Sequence, residues 1–525
     1  IPPEDRIRGG TKVSFIEKMK RGIRSWLEID RAGVQTIRIQ EHMDYDTNAA
    51  KNRIWYRGLS AELSELYSQL DTDNDKLKFW AAKSTPGMEI RKIHTGLPSL
   101  IVDTLTDVTL VDLNEFDFKK KDDEEIWEKI DKLNKFEKRL EKAVKETLYI
   151  GDGAFKVSID TTISKYPIVE FYPGDRVDFE YKRGVLREII FKTPYSHEAN
   201  RYTLLEHYGY GYVKYELLNA YGNELALNSI PETADLVDVT FAGYQKDPKE
   251  GIADQAESLY MMAVPLMFYE SGKWEGRGQS IFDRKIDSFD SFDETWSQWM
   301  DALRAGRSKE YVPESLIPRD PKTGSLMRPN HFDNRFIKVA GDLSENGQNK
   351  IDLEQPAIPH ESYLASYITA LDLCLQGIIS PSTLGIDVKK LDNADAQREK
   401  EKATLYTRSS IVNALQEDLP EIVDIAIKAY RELNHNPTDD VEVEISFGEY
   451  ANPSFESQIE TISKGKAGGI MSIEASVEEL YGDTKDDDWK AEEIKRLKAE
   501  QGISEVEEPA VSTEIDMGGD DEIKS

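Results

Sequence analysis

Positive charge is scarce: 67 Lys and Arg stand against 99 Asp and Glu, a formal charge of −32 over 525 residues. A protein that coats nucleic acid displaces phosphate counterions with Lys and Arg, so this balance excludes tight, non-specific adhesion to DNA. Cysteine is nearly absent. The single Cys374 lies in the apolar run 370–375, which rules out an intrachain disulfide framework and predicts a buried thiol behaving as a small hydrophobe. No stretch approaches the roughly 18 uncharged apolar residues of a membrane span, and the first residues lack a charged-then-apolar leader pattern. The expectation is a soluble protein made in the cytoplasm, with no membrane partner.

The usual signatures of chemistry are missing as well. The seven histidines, His42, His94, His197, His207, His331, His360 and His435, are scattered, and His197-Glu198 and His360-Glu361 have no second His at the zinc-protease spacing. Asp71-Thr72-Asp73-Asn74-Asp75 starts like a calcium loop, but Lys76 stands where the turn needs glycine and Ala82 where a bidentate Glu belongs. There is no phosphate-binding Gly-x-x-x-x-Gly-Lys-Ser/Thr run and no Gly-x-Ser-x-Gly elbow. Gly276-Arg277-Gly278-Gln279-Ser280 could hold an anion at a helix start, yet it lacks the third glycine of a dinucleotide fingerprint. The sequence therefore predicts no catalytic residue, no metal and no cofactor.

What is present is a folded composition, 39% hydrophobic and 10% aromatic, in an α+β order. Helical spacing marks 59–70 and 124–150, with Ile126, Ile130, Leu133, Phe136, Leu140, Val144 and Leu148 on one face of the second. Residues 87–113 read as a buried helix passing into an extended segment at Val108-Thr109-Leu110-Val111. The period then falls to two, predicting strands at 155–159, 169–172, 177–181, 186–191, 202–208 and 212–217, with a further strand at 263–269. With nothing helical between successive strands, this is a β-rich module and not a parallel α/β sheet.

A helix is expected over 279–305, where Phe289, Phe292, Trp296, Trp299 and Leu303 form an apolar seam at steps of 3 and 4. Asp283, Asp287, Asp290, Asp293 and Asp301 load its other faces with acid. A second helix over 361–377 offers Leu364, Ile368, Leu371 and Leu375 as the matching seam, and some fifty turn-rich residues separate the two. A loop at 378–393 carries Lys389 and Lys390, and a long helix, interrupted at Pro420, runs over 394–433. The alternating 441–447 is a strand, 454–501 reads as short polar helices, and 503–525 is an acidic tail whose composition predicts disorder.

The wording from Asn52-Arg53-Ile54-Trp55-Tyr56-Arg57-Gly58 through Phe79-Trp80-Ala81-Ala82 to Ile93-His94-Thr95-Gly96-Leu97-Pro98 resembles the N-terminal part of portal proteins from tailed phages of Gram-positive hosts. Trp274-Glu275-Gly276-Arg277-Gly278-Gln279-Ser280 looks like that family's short Gly-Arg-Ser lead-in to its first stem helix, with two extra residues. The resemblance implies a wing (1–278), a first stem helix (279–306), a clip (307–357), a second stem helix (358–377), a tunnel loop (378–393), a long kinked helix with a strand returning to the wing (394–453) and a crown (454–502) before the tail.

It also implies a homo-oligomeric ring, usually of twelve subunits, at one capsid vertex of the virion, through which double-stranded DNA is packaged and ejected. Terminase, a head-tail adaptor, and the major capsid and scaffolding proteins would be its partners. Within that frame Lys389 and Lys390 are candidate phosphate contacts, or two lysines on an exposed loop. The five aspartates are candidate channel rings that repel phosphate, or an ordinary solvated face. Arg319, Lys322 and Arg328 are candidate clip contacts, or solvated loop charges. The competing readings are another minor head or capsid protein without a DNA channel, and a DNA-processing enzyme, which would need a carboxylate cluster or phosphate loop that the sequence does not contain.

Overall fold

In a computed structural model, the described residues are 43–70, 76–83, 90–114, 116–242, 259–306, 309–313, 319–325, 336–339, 352–354, 357–386, 394–436, 439–448, 459, 462–466, 468, 471–481 and 487–500. The aspartate run 71–75, Lys389, Lys390, Arg328 and the acidic tail lie outside them. The chain forms two units, residues 1–110 with 115–445, and residues 111–114 with 446–525.

The first unit begins with α1 (Tyr45–Arg57), capped by Asp44, which accepts from Thr47 N at 2.8 Å, and stopped at Gly58, whose φ of 70° is in the left-handed region. Helices α2 (Ser60–Gln69) and α3 (Leu97–Leu110) follow. The expected extended end of α3 is helical. Its β-branched residues suggested a strand, but Thr106 and Thr109 return their hydroxyls to the carbonyls of Val102 and Leu105, and both side chains are buried in the core.

After β1 (Asp117–Phe118), the single helix expected over 124–150 is two: α4 (Lys121–Asn134) and α5 (Phe136–Ile150), broken at Lys135 with φ of 51°. The cause is Asn134. Its amide donates to Ile130 O and Pro167 O while its oxygen accepts from Val169 N, so the buried side chain ties the helix end to the next strands.

The β-rich expectation holds. β2 (Asp152–Ser158) and β3 (Ile168–Pro173) pair antiparallel, and β4 (Val177–Lys182), β5 (Val185–His197), β6 (Asn200–Gly209), β7 (Tyr212–Asn219) and β8 (Glu224–Leu225) form a meander. β9 (Val239–Thr240) joins β7, and β10 (Ala263–Met267) completes a three-stranded sheet with β2 at its centre. Lys156 of β2 donates to Glu206 of β6 at 2.9 Å, a buried ion pair that links the two sheets.

α6 (Ile286–Ala305) and α7 (His360–Leu375) are the two expected seam helices. Between them β11 (Lys309–Pro313), β12 (Phe336–Val339) and β13 (Asp352–Glu354) make a small sheet in the order β12-β11-β13, parallel on one side and antiparallel on the other. α8 (Ala394–Leu433) is 40 residues long, roughly 60 Å, and stays helical through Pro420 instead of being interrupted there. Its buried Ile411, Leu415, Leu419, Ile422, Val423, Ala426 and Ile427 make it the spine of the core, packed on β10, β2, α3 and α4. β14 (Val443–Glu444) pairs with β1, a shorter strand than 441–447 predicted.

In the second unit, Asp112 and Asn114 are hydrogen bonded to Gly448 and Ser446. α9 (Ile473–Tyr481) and α10 (Asp487–Glu500) meet through the Tyr481 and Trp489 rings at 5.1 Å and the ion pairs Glu478 to Lys490 and Glu474 to Lys498.

Candidate functional site

The helix pair α6 and α7 is the feature that the sequence singled out, and its lead-in is built first. Seven residues before the helix still belong to the body, because their backbone is already engaged: Gln279 N donates to Tyr269 O at 2.7 Å and Ile281 N to Leu148 O at 3.0 Å. That is why α6 starts at Ile286 and not at Gln279 as predicted. Arg277 fixes this segment. Its Nε and Nη2 reach the two carboxylate oxygens of Asp152 at 2.9 Å each, and Nη1 and Nη2 donate to Val177 O at 3.0 Å and Gly174 O at 2.5 Å.

Asp152 is fully buried and also accepts from Tyr45 OH at 2.7 Å and from Gly278 N at 2.6 Å. The guanidinium sits 3.7 Å over the Tyr45 ring, a cation–π contact away from water. Burial and the Asp152 charge push the Tyr45 phenol far above its ordinary value, so it stays a donor. A glycine is required at 278, since a Cβ there would stand 2.2 Å from Gly151 O, and Gly151 itself has φ of 128°.

The aspartates of this region do not form one exposed row. Asp283 accepts from the Nδ2 atoms of Asn48 at 2.8 Å and Asn52 at 3.0 Å, both on α1. Asp287 is ion-paired with Lys78. Asp290 accepts the backbone N–H groups of Phe79 at 2.9 Å and Trp80 at 3.3 Å, and burial pushes its carboxyl above the ordinary value against the pull of those two amides. Asp293 takes four donors: Thr95 N and Thr95 Oγ1 at 2.9 Å, His94 Nδ1 at 2.7 Å and Trp80 Nε1 at 3.2 Å.

Asp290 and Asp293 are 5% and 1% exposed. The expectation that they line a channel is therefore corrected, and Asp283 joins them as a side chain already committed to the body. Asp287, 82% exposed at its side chain, and the half-buried Asp301 remain open to solvent.

The apolar seam also differs from the expected one. Phe289 and Phe292 are buried, and the Phe289 ring meets Trp55 and Phe282 of the body at 6.1 and 5.6 Å. The α6–α7 contact is aromatic. Tyr367 meets Phe292, Trp296 and Trp299 at 5.0, 5.5 and 6.0 Å, and Tyr363 stacks on Trp299. Leu371 and Leu375 are buried and Ile368 is half-buried, but Leu303 and Leu364 are 42% and 46% exposed.

Periodicity missed Tyr363 and Tyr367, because a step of 4 through tyrosines competes with an equally regular step of 4 through Leu364 and Ile368. Further along, Arg319 and Lys322 are exposed in a turn closed by Asp320 N to Ser325 O at 2.9 Å. The described start of the next loop is held by hydroxyls: Thr404 Oγ1 accepts from Ser380 N at 2.9 Å, and Thr407 Oγ1 donates to Ile378 O at 2.6 Å.

Among the described residues no group of three or more His, Cys, Asp or Glu could hold a metal, and no helix is long and apolar enough to cross a membrane. Fold and site together make an α+β body that grips one member of an aromatic helix pair through buried carboxylates. The family described as "Phage portal protein, SPP1 Gp6-like" matches residues 33–505, and the chain belongs to it. This family is a structural, non-enzymatic component of the phage particle. No curated protein is similar enough to match. Among solved structures, a chain from the virion of a native gene transfer agent particle is 12% identical with a TM-score of 0.35, covering 72% of this chain and 88% of that one.

Proposed function

We propose that the chain is the subunit of a ring at one capsid vertex, forming the channel for double-stranded DNA packaging and ejection and the docking site for terminase and a head-tail adaptor. The observation that carries the reading, beside family membership, is the helix pair. A single copy leaves Leu303, Leu364 and Leu373 42, 46 and 51% exposed on α6 and α7 and its tryptophans half-buried, which suits lateral packing against further copies.

Cyclic closure would bury this surface without loose ends, and twelve copies is the number that the resemblance implies. A Gram-positive host rests on the same resemblance. Of the five candidate aspartates Asp301 remains open to solvent and able to repel a passing duplex, whereas Asp287 is ion-paired with Lys78; on α7 Glu361 and Asp372 are exposed, and that helix carries no Lys or Arg. Lys389 and Lys390 are proposed as non-specific phosphate contacts, and Arg319, Lys322 and Arg328 as partner contacts of the clip. The major capsid and scaffolding proteins would surround the ring, whose subunits would be made in the bacterial host cytoplasm.

The test is the mass and symmetry of the purified protein, by light scattering with negative-stain images. A ring of about a dozen copies with a central hole is expected. A monomer or dimer at high concentration in the presence of scaffold would overturn the reading in favour of a minor head protein without a channel.

A further inference from the structure

On α6 and just before it, Asp283, Asp287, Asp290, Asp293 and Ser297 follow one another at steps of 4, 3, 3 and 4, so they share one helix face. What they face is a stretch with little regular structure. Residues 76–83 and 90–96 run beside the helix as two limbs, and the donors of these limbs end on α6 side chains: Phe79 N and Trp80 N on Asp290, Thr95 N on Asp293, and Ile93 N on Ser297 Oγ at 3.0 Å. The limbs are tied to each other by Lys92, whose Nζ donates to Trp80 O at 2.7 Å and Ala82 O at 2.9 Å. At the base, Asp283 is held by α1.

We infer that Asp290, Asp293 and Ser297 are positioning residues that set the rotation and axial register of α6, and through it the face that the helix pair turns toward the channel. This rests on the channel reading above. Four backbone amides with side-chain acceptors on one helix face make a register code. A slide of α6 by one residue turns that face by about 100° and leaves all four amides without their acceptors at once.

A helix held only by its aromatic seam would be free to adjust, because ring contacts at 5 to 6 Å tolerate small rotations where hydrogen bonds do not. The body therefore decides where α6 points, and α7 follows. The unsatisfied Nε2 of His94 fits this arrangement: the ring is buried at 2% exposure, spends Nδ1 on Asp293, and leaves its other nitrogen against Gly58 with no partner.

The experiment uses the full chain with three variants, Asp290→Ala, Asp290→Asn and Ser291→Cys/Thr369→Cys, the last pair spin-labelled at exposed positions on α6 and α7 in a Cys374→Ser background. Amide hydrogen exchange at Phe79 and Trp80 is expected to speed by about 5- to 150-fold in Asp290→Ala, the range for losing a buried acceptor, and by less in Asp290→Asn, which keeps one oxygen. The distance distribution between labels should broaden in Asp290→Ala well below its melting temperature, and narrow again in Asp290→Asn.

A purely stabilising role would lower the melting temperature of Asp290→Ala without broadening the distribution, and that result would overturn the inference. Failure of the channel reading is separable, since it would appear as the absence of a ring in the wild type.

Discussion

Arg277→Ala removes the side chain that holds the lead-in to α6, and its cost can be worked from the contacts. Four hydrogen bonds disappear, two to Asp152 and two to backbone carbonyls, together with the stacking on Tyr45. Asp152, with its side chain 0% exposed, keeps only Tyr45 OH and Gly278 N as donors. Removing one partner of a buried ion pair costs roughly 3–5 kcal/mol because the other charge is stranded, a large share of a stability of about 5–15 kcal/mol. At about 2 °C per kcal/mol for a large unit, the melting temperature should fall by roughly 6–10 °C.

The assay is calorimetric unfolding at fixed protein concentration, since assembly would otherwise shift the midpoint by mass action. It should be run with Asp152→Asn and the double variant. The stranded charge is absent in the double variant, so the cycle should show a coupling of about 2 kcal/mol. An Arg277→Ala loss below about 1 kcal/mol, or a coupling below about 0.5 kcal/mol, would refute the argument that this pair carries the junction.

Three further outcomes follow from the same structure. Burial and the neighbouring Glu421 and Glu417 push the Asp418 carboxyl up to about 8, so its protonated form is stabilising below the ordinary carboxylate range and that contribution is lost as pH rises through about 8. Asp418→Asn should therefore gain on the wild type by about 1–3 kcal/mol at pH 9 and by little at pH 4, measured by denaturant unfolding; a pH-independent difference would sink the assignment.

Glu188 raises the His207 imidazole above its ordinary value and is itself lowered by it. The pair stabilises from above the ordinary carboxylate range up to the raised His207 value, so Glu188→Gln should cost more at pH 5.5 than at pH 8.5, and equal costs would contradict it. Gly278→Ala, placing a methyl 2.2 Å from Gly151 O, should cost more than about 2 kcal/mol in thermal unfolding, and a neutral effect would show that the close approach relaxes freely.

The strands were legible because period two is printed directly into the sequence: the six predicted between 155 and 217 all occur, extended by a few residues. The two helices on either side of the small sheet were legible from steps of 3 and 4, but not the tyrosines through which they meet. What periodicity could not see was anything decided by a distant partner. The break at Lys135 depends on Asn134 reaching Pro167 and Val169, and the late start of α6 on carbonyls of Leu148 and Tyr269.

The acid face was misread because aspartates on a helix resemble a solvated surface until something else needs their oxygens. A signal was there to use. The face is almost pure Asp with no interleaved lysine, and the limb that carries Phe79-Trp80 has no periodic pattern of its own, so its amides had to find acceptors elsewhere; Ile93-His94-Thr95, expected inside the helix over 87–113, instead lies in the irregular stretch before that helix begins at Leu97.

The lone sulfur gives the molecule a built-in clock for the helix pair. Cys374 is 0% exposed on α7, and burial pushes its thiol up to about 12, so the thiolate that alkylating reagents attack is vanishingly scarce while α7 is seated. With no second cysteine to share the signal, the rate at which a small maleimide consumes the thiol measures how often α7 lifts away. Oxidants meet the same barrier while α7 is seated.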